Sequence, residues 1–198
     1  MWEHPQPEPL NEQYWNERYR NGYTGWDIGQ ASRPLKEYID QLTDKHIRIL
    51  IPGCGNGYEA EYLHENGFKN VTVADISLEA VTLLRKRLPE EIQIVHQDFF
   101  KLQQTFDLIL EQTFFCAIHP SLRKAYVEKM YALLAPGGTL AGVWFNRTFE
   151  GGPPFGGNLE EYLNLFSGTF DIQVATECYN SIPPRAGTEV FMILKKPL

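Results

Sequence analysis

Short β-branched and apolar runs alternate with longer segments of helical period, and that alternation predicts an α/β fold: a mostly parallel sheet with crossover helices. Two further observations agree with it. A glycine-rich turn stands between the first apolar run and the first helical segment, and acidic residues close the next two runs. At 198 residues, 43% hydrophobic and 22% charged, the chain suits one globular domain with a single sizeable core.

Residues 47–51 read as the first strand and stop at the turn containing Gly53, Gly55 and Gly57. A helix over 58–66 follows and is closed by Gly67. Residues 71–74 are the second strand, ending at Asp75. Ser77 can cap a helix whose inward face is Val81, Leu84 and Leu88, with Pro89 as its stop. The third strand, 92–95, leads to Asp98 and Phe99, and the fourth, 106–110, to Glu111 and Gln112. His119 and Pro120 open the next helix, with Leu122, Tyr126, Met130, Leu133 and Leu134 on one stripe. Residues 135–138 (APGG) turn the chain into a fifth strand over 139–145. Residues 151–157, rich in Gly and Pro, form a loop, and 159–166 a short helix. Strands near 170–178 and 190–194, separated by turn residues 180–187, can close the sheet as a hairpin.

Composition excludes several classes. Lys and Arg total 18 against 25 for Asp and Glu, a formal charge of −7. Without a basic cluster the chain lacks the electrostatic footprint of nucleic-acid or anionic-membrane binding. No run approaches the roughly 18 apolar residues of a membrane span, and residues 1–10, acidic and rich in proline, are unlike a secretion signal. Cys54, Cys116 and Cys178 are odd in number and widely spaced, which gives neither a disulfide framework nor a metal knuckle. A cytoplasmic protein without a metal is expected.

The glycines are spaced G-x-G-x-G, and Tyr58 stands where the dinucleotide pattern G-x-G-x-x-G needs its third glycine. Asp75, at the end of the second strand, is placed to accept hydrogen bonds from both hydroxyls of a ribose. Asp98 ends the third strand, where its carboxylate can accept from an exocyclic amine while Phe99 covers a purine face. In a parallel sheet these strand ends open on one edge, so the residues converge on one crevice.

These motifs resemble those of the class I S-adenosylmethionine-dependent methyltransferases, and within them the thiopurine and thiol/halide methyltransferase family. The likeness is carried by LIPGCGNG (50–57), ADIS (74–77), QDFF (97–100), FDLILEQTFFCAIHP (106–120), LAPGG (134–138), GGPPF (151–155) and the N-terminal WNERYRNGYTGWDIG (15–29). It spans nearly the whole chain in order. The resemblance implies a Rossmann-like methyltransferase sandwich: a seven-stranded, mostly parallel sheet with a C-terminal antiparallel hairpin and helices on both faces. It implies a single domain over 1–198, with an aromatic-rich lid over 1–30 and a core over 45–198. The implied cofactor is S-adenosylmethionine, released as S-adenosylhomocysteine. Gly53 and Gly55 would lie against it, Asp75 and Ile76 at its ribose, Asp98 and Phe99 at its adenine, and Gln112 at its methionine end.

Trp15, Tyr19 and Trp26 match family positions that close over the cofactor, with Tyr19 where plant halide enzymes have a second Trp. Aromatic faces attract a desolvated cation by about 0.5–2 kcal/mol, which suits a sulfonium. Trp15 and Tyr19 are four apart and share a helix face, and Gly22 and Gly25 supply a hinge that brings Trp26 over the mouth. Tyr14 and Tyr23 read instead as filling the edge of the core. Phe114, Phe115 and Phe155 would line the acceptor pocket; plant members often carry Tyr at the last position, whose hydroxyl could bind an anion. Asp27 and His119 are the titratable residues to test as proton acceptors, although His119 also serves to start a helix, and Cys116 reads as packing. The expected activity is methyl transfer to the sulfur of a small thiol, thiopurine or related soft nucleophile, halide and thiocyanate included. The enzyme would be a monomer or a weakly associating homodimer. The alternatives are an O- or N-directed small-molecule methyltransferase, a nicotinamide-dependent oxidoreductase on a related fold, and a binding module that has lost transfer.

Overall fold

The computed structural model describes residues 9–198, so residues 1–8 of the expected lid lie outside the described residues. Seven strands form one sheet: β1 (Arg48–Pro52), β2 (Asn70–Asp75), β3 (Gln93–His96), β4 (Phe106–Gln112), β5 (Leu134–Phe145), β6 (Asp171–Glu177) and β7 (Glu189–Lys195). Their order is β3-β2-β1-β4-β5-β7-β6. The first five pair in parallel. β7 runs antiparallel between β5 and β6 and makes the closing hairpin.

The period-2 rule of a strand explains the two cores. Leu50, Ile109 and Leu140 face one side of the sheet, where Tyr126, Met130, Tyr162 and Phe166 cover them. Their neighbours Ile49, Ile51, Leu108, Leu110 and Ala141 face the other side, against Leu35, Ile39, Ala60, Leu63 and Leu84. The first set of covering residues comes from α5 (Arg123–Leu133) and α6 (Leu159–Phe166). The second comes from α2 (Arg33–Ile39), α3 (Tyr58–Glu65) and α4 (Leu78–Arg87). Helices therefore sit on both faces, and α1 (Glu12–Arg20) lies outside these layers, on α4.

Local signals set most boundaries. Ser77 caps α4 by accepting from the Ala80 amide at 3.2 Å, and Asn158 caps α6 by accepting from the Glu161 amide at 2.9 Å. Three sequence expectations change. Pro120 opens a 3-10 turn rather than the helix itself, and this leaves Leu122 43% exposed while Val127 takes its place in the stripe. Pairing of β5 begins at Leu134 opposite Phe106, so the APGG segment is carried as an irregularity within the strand. Finally, α2 forms over a segment to which the sequence pattern assigned no element. Pro34 stands at its start, and Leu35 and Ile39, four apart, are fully buried.

Candidate active site

The strand order reverses between β1 and β4, the switch point where open α/β sheets receive ligands beyond their C-terminal ends. The turn leaving β1 is left-handed at all three glycines, with φ of 56°, 55° and 70° at Gly53, Gly55 and Gly57, a region strained for side chains. Space is short as well. A Cβ on Gly53 would lie 2.2 Å from the Phe114 ring, and one on Gly55 would lie 3.2 Å from the Tyr19 hydroxyl. The loop after β4 and the N-terminal segment thus meet over the glycine turn.

Asp75 ends β2 and is 8% exposed. Its Oδ1 accepts from the Ser77 amide at 2.8 Å and its Oδ2 from the Gly55 amide at 3.2 Å. Burial raises its pKa to about 6, with the Ser77 and Gly55 amides pulling the other way. Each oxygen retains a lone pair for a further donor. Ile76 beside it is half-buried. Asp98 caps the next turn through Oδ1, which accepts from the Phe100 amide at 3.0 Å. The Phe99 ring is turned into the core against Phe100, Phe114 and Tyr126, so it shares its faces with other aromatic rings. Gln112, at the end of β4, has a buried Oε1 with no partner among the described residues.

The aromatic cover is assembled by α1 and the segment that follows it. Trp26 stacks edge-on with both Trp15 and Tyr19, at centroid distances of 5.6 Å and 5.8 Å. Burial, then the nearby Asp75 carboxylate, pushes the Tyr19 hydroxyl far above the usual phenol range, so it stays a neutral O–H. Tyr23 is 63% exposed and does not fill the core edge; the turn at Gly22, with φ of 68°, leaves it on the surface with the Arg18 guanidinium over its ring. Tyr14 is half-buried and accepts from Arg18 at 2.7 Å.

Several side chains that the sequence pattern did not single out hold this cover. Asn16 is buried, and its Oδ1 accepts from the Ser77 hydroxyl at 2.8 Å and the Glu79 amide at 3.2 Å. Arg20 pairs with Glu79 at 2.7 Å. Arg185, in the connection between β6 and β7, donates to the Trp26 carbonyl at 3.0 Å. A polar residue on the apolar side of α1 was the available signal for Asn16. Nothing local marked Arg185.

The two candidate proton acceptors are already engaged. Asp27 Oδ1 accepts from the Gly29 amide at 2.7 Å, and its Oδ2 accepts from Asn56 at 2.6 Å and the Tyr58 hydroxyl at 3.3 Å. His119 caps the turn that precedes α5, with Nδ1 2.8 Å from the Ser121 hydroxyl, and its ring packs on Phe155 at 5.5 Å. Phe155 is tied in by its amide, which donates to the Cys116 carbonyl at 2.7 Å. Phe114 and Phe155 are half-buried, whereas Phe115 is 2% exposed within the core. Phe115 lies in a tightly packed region shared with Glu111, Thr113, Cys116, Trp144 and Glu189.

Dinucleotide oxidoreductases extend the order 3-2-1-4-5 with a parallel sixth strand, whereas here an antiparallel β7 adjoins β5. With the third glycine of that fold also missing, the nicotinamide reading falls away, and the class defined is that of the S-adenosylmethionine-dependent methyltransferases. The chain belongs to the thiopurine S-methyltransferase family, whose model matches residues 10–190. It is 33% identical over 184 residues to a probable thiol methyltransferase 2 of Arabidopsis thaliana, covering 88% of this chain and 81% of that protein. It is 31% identical over 156 residues to thiocyanate methyltransferase 1 of Brassica oleracea, covering 75% and 69%. Among solved structures, a Burkholderia thailandensis 1,6-didemethyltoxoflavin-N1-methyltransferase superposes with a TM-score of 0.76 at 21% identity, covering 100% of this chain and 94% of that one. That likeness shows the fold.

The residues present fit the cofactor of this class. A glycine turn that admits no Cβ, a buried carboxylate with free lone pairs and the unpartnered Gln112 Oε1 offer close backbone approach and acceptors for hydroxyl and ammonium donors. No cluster of three metal-ligating side chains occurs among the described residues, and none of their helices is long and apolar enough to cross a membrane.

Proposed function

We propose that the enzyme methylates the sulfur of a small thiol or a related soft nucleophile such as a thiopurine or thiocyanate, and that Asp75, Asp98, Gln112 and the glycine turn hold the cofactor beneath Trp15, Tyr19 and Trp26. S-adenosylmethionine supplies an activated methyl group on a sulfonium. The aromatic cover excludes water and presents ring faces and edges to that cation, and Phe114 and Phe155 orient the acceptor.

The observation that carries the reading is the state of the carboxylates and imidazole around the crevice. Asp27, Glu111 and His119 are each engaged in holding a turn or loop, and Asp75 and Asp98 are the groups placed for the cofactor, so none is dedicated to taking a proton from an alcohol or ammonium. A thiol with a pKa of about 8.5 is already a few per cent thiolate at neutral pH, far more than an alcohol is alkoxide, and thiocyanate or a thiopurine thiolate brings its own charge. An acceptor of this kind needs orientation and desolvation rather than a base. The names of the relatives, which cover thiol, thiocyanate and thiopurine substrates, support the same class.

An amine acceptor is disfavoured as well: the Asn/Asp-Pro-Pro-Tyr/Phe motif of amino-methylating enzymes follows the fourth strand, where this chain has Glu-Gln-Thr-Phe (111–114), and its own Pro-Pro-Phe run follows β5. We also read the chain as one cytoplasmic domain acting on free small molecules, an assignment supported by three separate free cysteines and the absence of a basic cluster. The test is methylated-product detection over a panel of aliphatic thiols, hydrogen sulfide, thiopurines, thiocyanate and iodide, beside matched alcohols and amines. Transfer to sulfur is expected to dominate. Preferential methylation of an alcohol or amine would overturn the assignment.

A further inference from the structure

We propose that Glu111 is a positioning residue whose carboxylate, through the amides of Phe114 and Phe115, fixes the loop walling the acceptor side of the crevice, so that transfer depends on Glu111 carrying its charge. This rests on the crevice being the site of methyl transfer. The chain turns sharply at the end of β4: Thr113 has φ of 56°, the one positive value at a non-glycine among the described residues. Such a turn is costly and needs an outside hold. Glu111 supplies it. Its Oε1 accepts from the Phe114 and Phe115 amides, both at 2.9 Å, and its Oε2 accepts from the Tyr126 hydroxyl at 2.7 Å.

The arrangement is specific to this side chain. Opposite it on β5, a Cβ on Gly142 would lie 2.4 Å from the Glu111 Cβ and 2.5 Å from its carbonyl oxygen, so the two strands approach closely where Glu111 leaves the sheet. Glu111 is fully buried. Packing alone would be served by an apolar residue at far less desolvation cost. What a carboxylate adds is one oxygen able to hold two amides at once, and the result is the Phe114 ring seated on Gly53. Glu111 thereby sets the distance between the loop after β4 and the glycine turn after β1.

The titratable groups around it are Tyr126 on α5, Cys116 in the following turn, Tyr162 on α6, and Glu189, which lines the same packed region and pairs with Arg185. Burial lifts Glu111 to about 7, against the opposing pull of the Phe115 amide, Tyr126 and the Phe114 amide. Protonation leaves a poorer acceptor for all three donors, so the loop loosens as pH falls through that value.

The test uses the full-length enzyme with a nitro-substituted arene thiol that is ionised over the whole pH range, so that the acceptor adds no limb of its own. Wild type should show an acid limb in kcat/KM for the acceptor with a midpoint near neutrality. Glu111→Gln should lose the limb near neutrality and run at a kcat/KM for the acceptor lower by about tenfold or more, a loss larger than any change in S-adenosylhomocysteine affinity by calorimetry. Tyr126→Phe, which keeps the charge but removes one donor to it, should move the limb to higher pH. An unchanged limb in Glu111→Gln, or in Tyr126→Phe should the first variant not fold, overturns the proposal. If wild type binds S-adenosylhomocysteine yet methylates no thiol, the acceptor reading fails separately. Hydrogen exchange at the Phe114 and Phe115 amides then decides: protection that falls below neutral pH in wild type but not in Glu111→Gln supports the proposal, and protection equal in both at every pH overturns it.

Discussion

Replacing Asp75 with Asn should weaken cofactor binding and change how stability responds to pH, and both effects follow from one buried carboxylate. Folding raises the Asp75 pKa from 3.8 to about 6 through burial. A raised folded value means that the native state holds a proton that the unfolded state has released, so wild-type stability falls as pH climbs from about 4 to about 6 and carries the full penalty above. The difference, 6 − 3.8 = 2.2 units, corresponds to about 3 kcal/mol at about 1.36 kcal/mol per unit. Roughly half of that, about 1.4 kcal/mol, develops between about pH 5 and pH 8. The Asn variant has no such term. It does lose an acceptor for the Gly55 amide, a loss of about 1–3 kcal/mol that is the same at every pH. Denaturant unfolding at the two pH values therefore isolates the charge: variant stability relative to wild type should improve by about 1.4 kcal/mol on going from the acid to the alkaline condition. Calorimetry on the same samples should show S-adenosylhomocysteine affinity reduced by more than tenfold, since bonds to a charged acceptor contribute about 1.5–3 kcal/mol each. Parallel pH profiles would refute the buried-charge argument, and unchanged affinity would refute the ribose assignment.

Asn16→Ala removes an acceptor from the Ser77 hydroxyl and the Glu79 amide and should lower stability by about 1 kcal/mol, as lost caps do, with a rise in KM for S-adenosylmethionine larger than any change in kcat; steady-state kinetics and thermal melts check it. Gly53→Ala places a methyl 2.2 Å from the Phe114 ring at a φ that costs side chains about 1–2 kcal/mol, so a lower melting temperature and a loss of cofactor binding are expected together. Phe155→Tyr returns a hydroxyl to the acceptor wall and should raise turnover of thiocyanate relative to an uncharged thiol severalfold. An unchanged ratio in competition assays would remove Phe155 from selectivity.

The sheet was legible because its strands carry their signal locally. Residues 48–52 and 106–112 are buried on both faces and read as near-continuous apolar runs, and the glycine turn and Ser77 punctuate them. α2 escaped because seven residues, RPLKEYI, offer only Leu35 with Tyr38 and Ile39 at helical spacing, less than two full turns of pattern. Leu122 misled because it has the right spacing for the α5 stripe but stands before the helix begins. The same division holds in the candidate site. Asp75 and Asp98 were visible as acidic ends of strands. Asn16 bonds to Ser77 across 61 positions and Arg185 to the Trp26 carbonyl across 159, and no window along the chain contains both partners. Glu111 was noted as a strand end, but its three donors come from a left-handed turn and from α5, which only the folded geometry brings together.

Those long-range contacts fasten the segment proposed as a lid to the candidate site. The carboxylate placed for the ribose is bound by the Ser77 amide, the Ser77 hydroxyl is bound to Asn16, and Arg20 adds an ion pair to Glu79 on the same turn. At its far end the lid is latched by Asp27 to Asn56 of the glycine turn, and between the two its Trp26 carbonyl is held by Arg185 from the side of β7. Opening the cover therefore breaks bonds to both halves of the sheet at once: the Arg20, Asp27 and Arg185 contacts are exposed or half-exposed, each worth about 1 kcal/mol or less, whereas the Asn16–Ser77 bond is buried. A cation lodged under Trp15, Tyr19 and Trp26 adds about 0.5–2 kcal/mol of attraction that exists only when the cover is shut. On the proposed placement of the cofactor, its binding favours the closed state, and the acceptor would then meet a site from which water has already been excluded.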